Sequence, residues 1–242
     1  MLGVVAVRRL DAVRQPDEGG RLRVREAVDG LRSSLRALRA LPLTARFLLS
    51  FLLFNDAVQA VIALSTVVLT QELFVAQGRP ADDATGFLLS LVLLIQVVAV
   101  AGALGCARLA GRFGAKQVLL GTLVLWSGVL LYAVLGLETQ AQAYAMGVVI
   151  ALVLGGSQAL ARSLFSGMVP QDRQASFFGF YEVAERGTAW VGTLVFAVVF
   201  EVTGSYRGAF ASLLALFVSG GLLLAATDTD RAAAAARALE HR

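Results

Sequence analysis

Charge, cysteine, histidine and proline are all scarce in this chain. Of its 242 residues only 16% are charged against 57% hydrophobic, and the mean hydropathy is +0.74. That balance excludes an ordinary soluble domain and marks an integral membrane protein. The single cysteine, Cys106, lies in an apolar run and has no second thiol to meet, which excludes a disulfide and a cysteine-based zinc site. The single histidine, His241, is next to last, so histidine proton relays, HExxH zinc hydrolysis and serine–histidine catalysis inside a membrane are excluded. No GxxxxGK[ST] phosphate loop is present, which removes an ATP-driven pump, and an aspartyl intramembrane protease would need a second aspartate in a span. The opening MLGVVAVRRL has an apolar part too short for a signal peptide and carries its arginines after it, so no cleaved leader is expected. No enzymatic chemistry and no cofactor are expected.

What is present is long apolar runs. Six stretches, roughly 46–70, 85–107, 117–136, 142–165, 176–200 and 207–226, meet the need for about 20 apolar residues per membrane-crossing helix. The expected fold class is therefore all-α, integral to the lipid bilayer, with six transmembrane helices. Lysine and arginine fall unevenly between the spans. Ten precede or border the first span, up to Arg46; Arg108, Arg112 and Lys116 follow the second, Arg162 and Arg173 flank the fourth-to-fifth connection, and three lie in the tail. The opposite side has Arg79 and Arg207 only, so both termini are expected in the cytoplasm. This topology accounts for the pI of about 9.8 and leaves no reason to expect nucleic-acid binding. Expected domains are a cytoplasmic segment over 1–45, a six-helix bundle over 46–226 and a cytoplasmic tail over 227–242. Within the first, RLRVREAVDGLRSSLRALRAL (21–41) places Val24, Val28, Leu31, Leu35 and Leu38 on one helical face. Such a helix lies either on the anionic membrane surface or against the end of the bundle.

The stretch SFLLFNDAVQAVIALS (50–65) puts Asn55, Asp56 and Gln59 inside the first span. Asp56 lies about ten residues, roughly 15 Å, from the edge near Arg46, close to the midplane of a core about 30 Å thick. The fifth span carries Glu182, Glu185 and Arg186, the last two at nearly the same depth, and Gln96 lies about midway along the second. The third span, and the sixth from Ala209 onward, carry no charge at all, so polarity is confined to particular helices. A charge at mid-membrane costs at least about 2.5 kcal/mol, so these groups should face the bundle interior or a water-filled cavity and find partners. Two readings are open: a substrate or proton pathway, or a buried ion pair of Arg186 with Asp56 or Glu185. Glu182 and Arg186 are also spaced to neutralise each other along one helix. In the fourth span, GGSQALAR sets Gly155, Gly156, Ala159 and Ser163 on a small-residue face for close helix contact. Gln158 is available for a hydrogen bond across that interface or to a ligand, and Arg162 is expected to snorkel to headgroups or cap a carbonyl rather than bind substrate.

The loop ARLAGRFGAK (107–116) resembles the signature loop of the major facilitator superfamily, matched at Leu109, Ala110, Arg112, Gly114 and Lys116, with Arg108 beside it. It departs at Ala107, where the pattern has Gly, and at Gly111, where it has the Asp of a gating salt bridge. With FNDAVQAVIA (54–63), GGSQALARSLFSGMVP (155–170) and SFFGFYEVAERGTAWVGTLVF (176–196), the chain resembles the C-terminal half of the vacuolar effluxer-like family, over about residues 30–226. The resemblance implies helices seven to twelve of a twelve-helix transporter. It also implies an N-terminal six-helix half, in the same or another chain, and a small solute as substrate, with amino acids the leading class. On this reading the opening residues are the end of a sixth helix and a central loop, the chain is a fragment, a half-size subunit or a truncated gene model, and the membrane is a bacterial cytoplasmic one. The pathway is expected at Asn55, Asp56, Gln59, Gln96, Gln158, Glu182, Glu185 and Arg186, with protons as candidate coupling ions. Arg108, Arg112, Gly114 and Lys116 form the expected gating loop. The rival reading is a non-transporting scaffold whose polar cluster is structural.

Overall fold

The computed structural model describes residues 39–186 and 190–240, and the described residues contain helices and no strand. The amphipathic helix expected over 21–41 lies almost wholly outside them. We label the helices α1 (Pro42–Leu73), α2 (Ala84–Phe113), α3 (Ala115–Gly136), α4 (Gln140–Gly167), α5 (Gln174–Arg186), α6 (Val191–Thr203), α7 (Tyr206–Ser212), α8 (Leu214–Ala225) and α9 (Thr229–Glu240). They supply six segments long and apolar enough to cross a membrane: Pro42–Gln77, Ala81–Phe113, Ala115–Gly136, Gln140–Gly167, Gln174–Thr203 and Tyr206–Ala225. Six were expected, and the structure lengthens most of them. The first begins at Pro42, whose missing N–H suits the first turn of a helix.

Local chemistry explains the boundaries. Gly114, with φ of 89°, turns the chain between α2 and α3, and Gly204, with φ of 63°, ends α6. Both lie in the left-handed region that favours glycine. Thr139 and Gln142 cap α4 reciprocally, each side chain bonding the other's backbone N–H. At the same end, Arg207 Nε meets Glu72 Oε2 at 2.7 Å while its terminal nitrogens reach the carbonyls of Leu137 (2.9 Å) and Val134 (3.5 Å). One guanidinium thus ties the ends of α1 and α3 to the start of α7. At the opposite end, Thr44 Oγ1 donates to the Met168 carbonyl at 2.9 Å. There Lys116 Nζ donates to the carbonyls of Ala225 (3.0 Å) and Thr227 (2.8 Å). The start of α1 and the close of α8 therefore share one end of the bundle, as an even number of crossings requires. The tail forms α9, with Ala232 and Ala236 buried against the bundle.

Packing is closest where side chains are absent. Helices α2 and α4 make the most extensive pairing among the described residues. A Cβ at Gly102 would overlap the Leu152 backbone, and one at Gly156 would overlap the Cys106 thiol. A Cβ at Gly155 would lie 3.2 Å from the Ala99 carbonyl oxygen. The expected small-residue face is therefore realised at Gly155 and Gly156, whereas Ala159 and Ser163 are exposed. Helix α8 crosses α1 in the same manner: a Cβ at Gly220 would come within 3.0 Å of Phe54, and Ser50 Oγ donates to the Gly220 carbonyl at 2.7 Å. Without a hydrophobic drive between helices in lipid, such contacts and hydrogen bonds supply the association.

Candidate functional site

Helix α1 is the central post of the site. Its aromatic face, Phe47, Phe51 and Phe54, is fully buried, and Asn55 and Asp56 are buried beside it at 0% and 1% exposure. Every polar atom at such depth needs a partner. Asn55 donates Nδ2–H to the Glu185 carbonyl of α5 at 3.0 Å and accepts from Gln158 Nε2 of α4 at 2.9 Å. Asp56 Oδ2 accepts the N–H of Gly192, the second residue of α6, while Oδ1 has no hydrogen-bond partner among the described residues. The fifth span is described as two helices, and two adjacent side chains of α1 serve both. The amide donates to a carbonyl in the last turn of α5, and the carboxylate accepts from the first turn of α6. The carboxylate suits the orphan N–H groups, and the dipole, at the start of α6. Gly192 permits the approach, since a Cβ there would lie 2.7 Å from Ala60 Cβ and 3.0 Å from Asp56 Oδ2.

The charges expected to meet Asp56 go elsewhere. Arg162 of α4 binds Glu185 at 2.8 Å and Glu182 at 3.0 Å, and Arg186 binds Glu182 at 3.3 Å. Of the two open readings, the ion pair of Arg186 with Asp56 or Glu185 is not formed: the Gly192 N–H holds Asp56 and Arg162 holds Glu185. The Glu182–Arg186 pair one turn apart is present as expected. Arg162 is the hub of a four-charge network that sequence reading missed. The signal was available: Arg162 is four residues after Gln158, on the same face of α4, and Gln158 already bonds Asn55. Tyr181 of α5 backs the network. It is fully buried, stacked on Phe51 with centroids 4.2 Å apart and tilted against Phe165 at 5.1 Å, with the Arg162 guanidinium 5.4 Å from its ring centre. The cation therefore rests on an aromatic platform built from α1, α4 and α5.

Side-chain exposure is 50% for Arg162, 41% for Glu182, 22% for Glu185 and 82% for Arg186. The network is thus an open charged face, distinct from the buried Asn55–Asp56 pair behind it. Gln59 is half-buried. Gln96 is exposed on α2 and lines a separate, mainly apolar hollow of about 210 Å³ with Ser65, Thr66 and Leu154, so the structure does not bring it to the Asn55–Asp56 pair. In the expected gating loop, Arg108 and Arg112 are exposed, Gly114 makes the turn, and Lys116 is committed to the carbonyls that end the sixth span.

Six membrane-length helices with an open charged face on the fourth and fifth define a multi-pass membrane protein built around an intramembrane polar site. Residues 4–237 match the family described as vacuole effluxer Atg22 like, and the chain belongs to it. An uncharacterized MFS-type transporter of Bacillus subtilis is 33% identical over 200 residues, 81% of this chain and 44% of that protein. Autophagy-related protein 22 of Kluyveromyces lactis is 29% identical over 222 residues, 87% of this chain and 43% of that protein. The chain spans less than half the length of these curated relatives. The family resemblance read from the motifs is borne out.

Proposed function

We propose that the chain is the C-terminal six-helix half of a major facilitator-type secondary transporter that moves a small solute, with amino acids the leading class, by alternating access. The observation that carries this is the open network Arg162–Glu182–Glu185–Arg186. Charged groups on spans, exposed to this degree, are stable only against a water-filled cavity or a complementary protein surface. A second six-helix half supplies both, and a cavity between two halves is where such transporters bind their cargo. On this reading a zwitterion sets its ammonium on Glu185 or Glu182 and its carboxylate on Arg162 or Arg186, with the bidentate fork of arginine giving direction. Glu185, at 22% the least exposed carboxylate of the network, and Asp56 behind it are the candidate proton carriers. The excess of arginine at the Pro42 end supports a cytoplasmic side for both termini.

The test is uptake of labelled amino acids into vesicles holding both halves, with Glu185→Gln as the variant. Expected is a loss of flux of at least tenfold with membrane insertion and yield unchanged. Equal uptake by the variant, or no saturable uptake of any amino acid by the parent, would overturn the assignment. A non-transporting scaffold is the second reading, favoured by the internal use of Asn55 and Asp56 as partners of backbone groups. It predicts that no solute is moved and that Glu185→Gln alters only thermal stability.

A further inference from the structure

Away from the charged face, α2, α3 and α4 enclose an apolar groove of about 590 Å³ that opens to the outside of the bundle. Gly105, Leu109 and Phe113 of α2 line it together with Gly121 and Leu125 of α3 and Leu152 of α4. A Cβ at Gly105 or at Gly121 would meet nothing within 4 Å, so the hollow exists because two side chains are missing. From Gln117 to Leu125 it follows α3 for about 12 Å at 1.5 Å per residue. That is most of one leaflet of a core about 30 Å thick.

Its mouth is basic. Arg112 lies over the ring of Phe113, a lining residue, with Cζ 5.4 Å from the centroid. Arg108 is one turn further in on the same side of α2, and both are exposed. Neither has an acidic partner among the described residues, although both lie within the last two turns of a membrane-spanning helix. The carboxylates nearby stand in an adjoining polar hollow shared with Lys116: Asp228 is held by Arg231 at 3.1 Å, and Asp230 faces that hollow. The excess positive charge therefore lies on the α2 side of Phe113.

We propose that this groove is the seat of one anionic phospholipid. Its acyl chain lies along α3 past Gly121, and its phosphate is held by Arg108 and Arg112. An acyl chain alone would be any annular lipid; two unpartnered guanidiniums at headgroup depth select the charge. The inference rests on the membrane-spanning fold and not on transport.

The experiment is native mass spectrometry of the full chain released from nanodiscs containing equal phosphatidylglycerol and phosphatidylethanolamine. One phosphatidylglycerol should be retained per chain, preferred about fivefold over phosphatidylethanolamine. Arg108→Gln with Arg112→Gln should abolish the preference, and the same pair changed to Lys should keep it. Gly121→Leu should remove the bound lipid altogether while the thermal unfolding midpoint is held or raised. Equal retention of the two lipids by the parent, no retained lipid, an unchanged phosphatidylglycerol adduct in the Gln pair, or displacement by millimolar inorganic phosphate would each overturn the proposal.

Discussion

Asn55 and Asp56 are adjacent on one helix and serve opposite polarities. The amide donates to the Glu185 carbonyl, and the carboxylate accepts from the Gly192 N–H. Replacing Asp56 by Ala would leave that buried N–H unpaired, a loss of about 1–3 kcal/mol, read as a lower unfolding midpoint in detergent. Asp56→Asn keeps an acceptor of the same shape, so its midpoint should fall less and its insertion persist while solute flux is lost. A flux equal to the parent's would remove Asp56 from the transport path and leave it a helix-end partner. The placing of Asp56 inside the first span was legible from hydropathy, and the Glu182–Arg186 pair from spacing along one helix. The partner of Asp56 was not legible. A backbone amide has no identity in a sequence, so reasoning from side chains alone left a cavity or an ion pair with Arg186 as the open readings.

At the scale of elements, the number and order of the spans were readable because each satisfies a length and polarity rule by itself. Contacts between spans were readable only in part. Gly155 and Gly156 were found because a stripe of small residues is a local pattern, but the same pattern ran on through Ala159 and Ser163, which are exposed. What limits the contact is the partner helix. The close approach of α2 is made at Gly102 and Cys106, and the opposite face of α4 turns Gln158 and Arg162 toward α1 and α5. Gly102→Leu should therefore be costly. Its side chain would have to displace the backbone at Leu152, and overpacking of this kind costs about 1–3 kcal/mol or more. A thermal melt should show the loss, with Gly105→Leu, three residues away and facing open space, as the internal control. Equal effects at the two glycines would mean that the α2–α4 spacing is not set by Gly102.

At the scale of the molecule, a cation bound to carbonyls ties helices together at each end of the bundle: Arg207 at one end and Lys116 at the other. The charged side chains of the fourth and fifth spans, by contrast, are paired only with one another among the described residues. The proposed second half predicts a native particle of about twice the 25.5 kDa mass of this chain, measured on the intact polypeptide or complex in its own membranes. A particle at the single mass would argue for the scaffold reading. The open charged face also has a bearing on cell physiology. A copy synthesised without its counterpart would present two arginines and two glutamates to lipid, the feature by which membrane quality control separates unassembled subunits from finished ones. Supply of the two halves should then be self-correcting: surplus copies of this chain are cleared, and a pulse-chase with the counterpart withheld should show a half-life several times shorter than with it present.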